Sequence, residues 1–199
     1  MSKQRDNSRG YSLRKVNIRE IKQRFLIVCE GVETEPNYFR GFRVPTVKIE
    51  IQGLGKNPSN LIKTAKDLND KEEYDQVWCV FDRDSWTKQD FNNAISNAES
   101  QGFAVAYSNE AFELWYVLHF QPLNSGISRS DYSQKLTSLL GKNYQKNSPR
   151  MYDDLLDKQT TAIKNAEKLL EQYDPHNPEK DNPSTTVHRL VKELNRFIR

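Results

Sequence analysis

The run Phe25–Cys29 (FLIVC) is apolar throughout and stops abruptly at Glu30-Gly31. Its length and composition are those of a buried strand. The Glu-Gly pair at its end does not suit a core. A carboxylate at the end of a buried strand costs free energy unless its charge is compensated, and Gly31 lets the chain turn sharply there. Residues of this kind build a site. Any fold for this chain has to bury the run and still give Glu30 a partner.

The rest of the chain supplies the layers. Thr34–Phe42 carries Pro36 near a helix start and spaces Tyr38, Phe39 and Phe42 for a packed helical face. Val47–Ile51 alternates as a second strand, punctuated by Gly53 and Gly55. Asn57-Pro58 reads as a cap and a first-turn proline, ahead of a helix with Leu61, Ile62, Ala65 and Leu68 on one stripe. Val77–Phe81 (VWCVF) is a third strand, apolar enough to be buried on both faces. Phe91, Ala94, Ile95 and Ala98 mark a third helix that stops at Gly102; Phe103–Tyr107 is a fourth strand, and Ser108-Asn109 caps a helix over Glu110–Phe120. Strands alternating with helices imply right-handed crossovers, and so an α/β fold with a mainly parallel four-stranded sheet flanked by helices. Beyond Pro122 no strand pattern is visible. Helices are expected over Asp131–Leu140 and Thr160–Tyr173, and a last one capped by Ser184 or Thr185 with Val187, Leu190, Val191, Leu194 and Ile198 inward. The organisation read from this is a basic arm over 1–24, an α/β core over 25–121 and a helical extension over 122–199 packed on the core.

Composition narrows the classes. With 30 basic and 27 acidic residues the net charge is only +3, too near balance to declare a nucleic-acid binder from charge alone. The arm over 1–24 is read as a solvated tail, or as a segment lying along a phosphate backbone. It has no apolar core of a signal peptide, and no stretch reaches the length of a membrane span, so the expected compartment is the cytoplasm. Cys29 and Cys79 lie inside apolar runs and read as small buried hydrophobes; 2 cysteines and 3 scattered histidines exclude a thiolate-rich zinc site.

In an open parallel sheet, ligands bind beyond the C-terminal strand ends where the strand order reverses. If the first and third strands are neighbours, Glu30 meets Asp82 and Asp84 at that edge. Three carboxylates in a partly dry crevice repel one another unless a cation binds, and a hard divalent ion such as Mg²⁺ suits them. Such a site supports metal-assisted phosphodiester chemistry. Asp-x-Asp alone is equally a solvated turn; paired with Glu-Gly after another strand it argues for a metal site. Glu35 is the better of two further acids, because it sits beside Pro36 at the helix start, whereas Glu33 reads as a first-turn acid. Ser108–Phe120 leaves the fourth strand at the same edge, so Glu113 is a candidate catalytic carboxylate and Asn109 a candidate for binding phosphate or orienting water. Its aromatic residues read as core, and His119 as a core histidine bonded to backbone. On the last helix His188, Lys192 and Arg196 recur every fourth residue beside Arg189, either a solvated basic face or a clamp on substrate phosphates, with Thr185 and Thr186 at its N-terminus. Lys142, Lys146 and Arg150 form another basic cluster, and Lys146 is taken as a substrate-binding candidate.

Glu30-Gly31 and Asp82-x-Asp84, each after a strand, resemble the Toprim arrangement of topoisomerases, primases and OLD-type nucleases. More closely, the chain resembles the RloB family of prokaryotic defence-associated proteins, through CEGVETEPNYF (29–39), FDRD (81–84), SNEAFELWYVLHF (108–120) and NPSTTVHRLV (182–191). The resemblance implies a Toprim-like core, Glu30 as an acid/base or metal-binding residue, and Asp82 and Asp84 as metal ligands. The activity expected is a nuclease dependent on Mg²⁺ or Mn²⁺ that cuts RNA or DNA in anti-phage defence. Such proteins often accompany an ATPase of the AAA or ABC type, and this sequence has no G-x-x-x-x-G-K-[ST] loop of its own; self-association is left open. No tyrosine context argues for a topoisomerase nucleophile. The competing expectation is a non-catalytic nucleotide- or nucleic-acid-binding module that works with the ATPase.

Overall fold

The computed structural model describes residues 23–44, 47–55, 58–83 and 87–198. Most of the basic arm, and Asp84, lie outside the described residues. The order of elements is β1 (Gln23–Cys29), α1 (Thr34–Arg40), β2 (Val47–Gly53), α2 (Pro58–Asn69), β3 (Gln76–Asp82), α3 (Lys88–Ser100), β4 (Ala104–Asn109), α4 (Glu113–Leu118), α5 (Arg129–Leu140), α6 (Met151–Leu155), α7 (Gln159–Leu170), β5 (Ser184–Thr185) and α8 (Val187–Asn195), with one 3-10 turn over Leu156–Lys158.

Alternate side chains of the strands enter two different cores, as a pleat buried on both faces requires. Phe25, Ile27 and Cys29 of β1, with Trp78 and Val80 of β3, join a larger cluster that includes residues of α1 and α4–α8. Leu26 and Val28, with Val77, Cys79 and Phe81, pack instead on Leu61, Ile62 and Ala65 of α2 and Phe91 and Ala94 of α3. Both cysteines are buried and unbridged. The segment after residue 122 contributes to the first core through Tyr132, Leu136, Tyr152, Leu155, Ala162 and Leu190.

The sheet runs β2-β1-β3-β4-β5. Its first four strands are parallel, and β5 is antiparallel to β4. From β1 the chain steps one way to β2 and then crosses back to β3 on the other side of β1, so the strand order reverses between β1 and β3. The register places Cys29 beside Val80. Glu30 and Asp82 therefore leave adjacent strands at the switch point, which meets the condition under which the two acids share one edge.

Four expectations change. Ile198, expected inward, lies beyond the end of α8 at Asn195 and is exposed. The sheet has a fifth strand, β5, only two residues long, in which Thr185 pairs with Ser108 and Ser184 with Asn109. Two residues carry no alternation, so pairing partners, not pattern, make this a strand. Ser184 and Thr185 consequently do not cap the last helix; Thr186 takes the N-cap position with no side-chain cap bond. The helix after β4 is shorter than expected, Glu113–Leu118, because β4 continues through Asn109. Among the described residues no helix is long and apolar enough to cross a membrane.

The turn after β1 depends on Gly53. A Cβ there would lie 2.7 Å from the Gly31 carbonyl oxygen and 2.8 Å from the Val32 Cα. Both are backbone atoms and cannot rotate away. Gly53→Ala is expected to destabilise the fold by roughly 1–3 kcal/mol, the cost of overpacking, read as a lower denaturant midpoint at unchanged m-value.

Candidate active site at the β1/β3 switch point

Glu30 continues the ladder beyond β1. Its backbone N–H donates to the Val80 carbonyl at 2.8 Å, and its own carbonyl accepts from Gly55 N–H at 2.7 Å. This fixes the side chain across the gap, where Oε2 accepts the Asp82 N–H at 3.2 Å. Asp82 is in phase with Trp78 and Val80, so it projects toward α1 and α4. Its Oδ2 accepts the Phe112 N–H at 3.0 Å, just before α4. Its Oδ1 is buried and has no hydrogen-bond partner.

Two more carboxylates enter from helix starts. Glu35, in the first turn of α1, is only 6 % exposed, and its Oε2 is likewise buried without a partner. It presses on the Gly31 backbone: a Cβ at Gly31 would lie 2.1 Å from Glu35 Oε2. The carboxylate thus occupies the place that a Cβ at 31 would take, and a side chain there would displace it from this seat. Glu113 opens α4 and is also buried. The Tyr144 hydroxyl donates to its Oε1 at 3.2 Å, and Lys146 Nζ stands 3.8 Å from the same oxygen.

Burial and the neighbouring acids raise the proton affinity of two of these carboxylates, Glu35 and Asp82. Burial, followed by the charges of Glu113 and Glu30, pushes the Glu35 carboxyl up to about 7 against the opposing pull of a backbone hydrogen bond and of Lys146. Burial, followed by Glu35 and Glu113, holds Asp82 well above the usual carboxylate range, although the Phe112 N–H acts the other way. Four carboxylates from β1, α1, β3 and α4 therefore share one field.

The loop between α5 and α6 completes this end of the crevice. Asn147 adopts a left-handed φ of 71°, a conformation asparagine tolerates better than most residues. Thr34 Oγ1 donates to its Oδ1 at 2.6 Å, and Asn37 Nδ2 donates to its carbonyl at 2.9 Å. The loop is so tied to α1, and Tyr144 and Lys146 are carried to Glu113. Sequence reasoning found Lys146 but not Tyr144, Thr34 or Asn147. An asparagine in a polar loop was the only local signal, and it names no partner.

Other candidates lie elsewhere. Asn109 is buried and its amide donates to the carbonyls of Pro178 at 3.0 Å and Glu179 at 3.3 Å, so it holds the loop before β5. Thr185 and Thr186 are buried and bonded to the β4 backbone at Tyr107 and Val105. His119 is a core histidine whose Nδ1 bonds the Trp115 carbonyl at 2.9 Å. His188, Arg189 and Lys192 flank a cleft together with Gln76, the first residue of β3, at the opposite end of that strand from Asp82. Asp84 falls outside the described residues.

The donor set suits a hard divalent cation: it is all oxygen, and it includes two buried carboxylate oxygens that lack partners. Glu30, Glu35 and Asp82 are the residues that would hold such an ion. Among the described residues no group of three or more His, Cys, Asp or Glu side chains forms a ready-made ligand cluster. The carboxylates share an electrostatic field here, not a coordination sphere.

Fold and site together define a class: a doubly wound, mainly parallel α/β protein with acidic residues gathered at its topological switch point. Within that class the chain belongs to the RloB-like protein family, whose model matches residues 25–194. No curated protein and no solved structure gives a match.

Proposed function

We propose that this chain is a divalent-metal-dependent nuclease that hydrolyses phosphodiester bonds of RNA or DNA, acting in the cytoplasm as an effector of anti-phage defence beside a partner ATPase. The observation that carries the reading is the gathering of Glu30, Glu35, Asp82 and Glu113 at one strand-end crevice, with two buried carboxylate oxygens unpartnered. Acids that raise one another's proton affinity are poor structural elements and good cation ligands, because a bound cation reverses the sign of their environment. A bound Mg²⁺ or Mn²⁺ would supply charge for the phosphoryl oxygens and a more acidic water. The chain's own residues do the rest. Glu30 and Asp82 are held in mutual orientation by the Asp82 N–H, Asp82 is aimed by the Phe112 N–H, and Glu113 is steadied by Tyr144. Lys146, whose side chain is 60 % exposed, stands where it can offset charge that builds on a phosphate.

The test is cleavage of RNA, single-stranded DNA and duplex DNA by the full chain. Products are expected with millimolar Mg²⁺ or Mn²⁺ and none with a chelator. Cleavage that persists undiminished in chelator, or a failure to cut all three polymers with either ion, overturns the proposal.

A further inference from the structure

A second polar cleft, of about 480 Å³, lies between the start of β3 and α8 and is lined by Gln76, Trp78, His188, Arg189, Lys192 and Glu193. Its charges do not cancel. The Glu193 carboxylate is occupied by Arg196 at 2.9 and 3.1 Å and by the Gln76 amide at 3.4 Å. Lys192 pairs with Glu167 at 2.7 Å, and both side chains are solvent-exposed, so water and salt screen that pair strongly. Arg189 is exposed; its backbone N–H donates to the Thr186 carbonyl at 2.9 Å, and its guanidinium makes no hydrogen bond or ion pair among the described residues. His188 is 4 % exposed, and its Nδ1 has no hydrogen-bond partner. One wall is fixed, since Trp78 Nε1 donates to the Gln76 side chain at 3.0 Å. The cleft thus offers an unspent guanidinium, an ammonium held only by an exposed pair, and a buried ring nitrogen without a partner.

Its position adds to this. Gln76 and Asp82 are the two ends of β3, so the cleft is about 20 Å from the carboxylates at a strand's rise per residue. The Gln76 amide also donates to Gln23 at 3.3 Å, at the very start of β1. β1 thus begins beside this cleft, and the sequence ahead of it carries Arg14, Lys15, Arg19 and Lys22.

We infer that the β3–α8 cleft is a second contact for the phosphate backbone of a nucleic acid, remote from the carboxylates. Arg189 and Lys192 meet phosphate oxygens there, and His188 supplies a further polar contact. The inference rests on the proposed function only in taking nucleic acid as the ligand. It requires no cleavage.

Salt dependence tests it directly, because each lost phosphate contact flattens the dependence of log K on log salt by about 0.7 for a single strand. Anisotropy titrations would use the full chain in chelator with a labelled uridine oligonucleotide of about 20 residues and its thymidine counterpart, between about 50 and 200 mM salt. Arg189→Gln is expected to weaken binding and reduce the slope by about 0.7, and Arg189→Gln with Lys192→Gln by about 1.4. Both side chains are exposed, and unchanged thermal unfolding confirms that the variants fold. Lys66→Gln, an exposed α2 side chain paired with Asp70 and outside both sites, is expected to leave the slope as it is. An unaltered slope in both basic variants overturns the inference, as does absence of binding to either polymer. If slopes fall as expected while added Mg²⁺ or Mn²⁺ produces no cleavage, the nuclease reading fails and the second contact stands.

Discussion

Asp82→Asn is expected to lower metal-dependent cleavage by roughly 10²–10³-fold, the range typical of removing one electrostatic contributor to a transition state, and yet to raise the thermal stability of the metal-free protein. The two effects have one cause. Asp82 is held among Glu35 and Glu113 in a largely dry crevice, with Oδ1 unpartnered. Its charge is unfavourable for the fold and necessary for a cation. Asparagine is nearly isosteric and keeps a carbonyl oxygen for the Phe112 N–H now bonded at 3.0 Å. The variant should therefore fold with the same geometry and one fewer negative charge. Single-turnover cleavage with Mg²⁺ and thermal melts in chelator read the two halves separately. A variant that cuts as fast as the parent removes Asp82 from the chemistry. One that is inactive but also less stable would show that Asp82 is a structural carboxylate. Glu30→Gln should lose activity to a similar degree, because Glu30 holds the opposite side of the switch point.

The metal-free protein should lose stability as pH rises from about 4.5 to about 7, and Glu35→Gln should abolish much of that loss. The Glu35 carboxyl is raised from 4.5 to about 7, chiefly by burial. Between those values the folded chain keeps a proton that the unfolded chain has released. Folding takes up a proton there, so stability is full below about 4.5 and declines until the folded carboxyl ionises near 7. At 1.36 kcal/mol per unit the total is about 3 kcal/mol. His119 and His188, both depressed to about 4 by burial, tilt the other way: their contribution is present above the ordinary histidine value of 6.5 and is lost toward 4. The diagnostic is accordingly the difference between parent and Glu35→Gln, followed by denaturant titration in chelator across this range. The curves should meet near pH 4.5 and separate by pH 8, with the glutamine variant the more stable. Millimolar Mg²⁺ should close the gap at pH 8 and leave pH 4.5 unchanged, since only the ionised cluster attracts it. A constant difference across the range would show that Glu35 does not titrate with folding.

The same residues show how far a sequence reading reaches. FLIVC and VWCVF declare buried strands because their patterns are local, and Glu-Gly and Asp-Arg-Asp declare polar ends for the same reason. Glu113 was legible as an acid beyond the fourth strand, but its partners were not. Tyr144 lies 31 residues away and belongs to a loop tied down by Asn147, itself 113 residues from Thr34. Asn109 shows the opposite error. Its place at a strand end suggested ligand binding, and the fold uses its amide to hold the loop at Pro178 and Glu179. His188, Arg189 and Lys192 were legible as one basic helix edge. Which end of the sheet that edge meets depends on how α8 lies across it, and the contact of Glu193 with Gln76 places it away from the carboxylates.

By itself, then, the sequence determined the alternation of buried strands with amphipathic helices and the acidic strand ends. These features arise from residue-by-residue preferences: apolar runs leave water, and charged side chains stay where water or a partner can reach them. The tertiary structure alone decided that β1 and β3 are neighbours, that Glu35 and Glu113 point into the gap between them, and that a loop over a hundred residues downstream of α1 brings Tyr144 and Lys146 to it. Proton affinity is a property of the assembled field. Glu35 in an isolated segment is an ordinary glutamate, and it is raised to about 7 only once the sheet has closed over it and set other carboxylates against it.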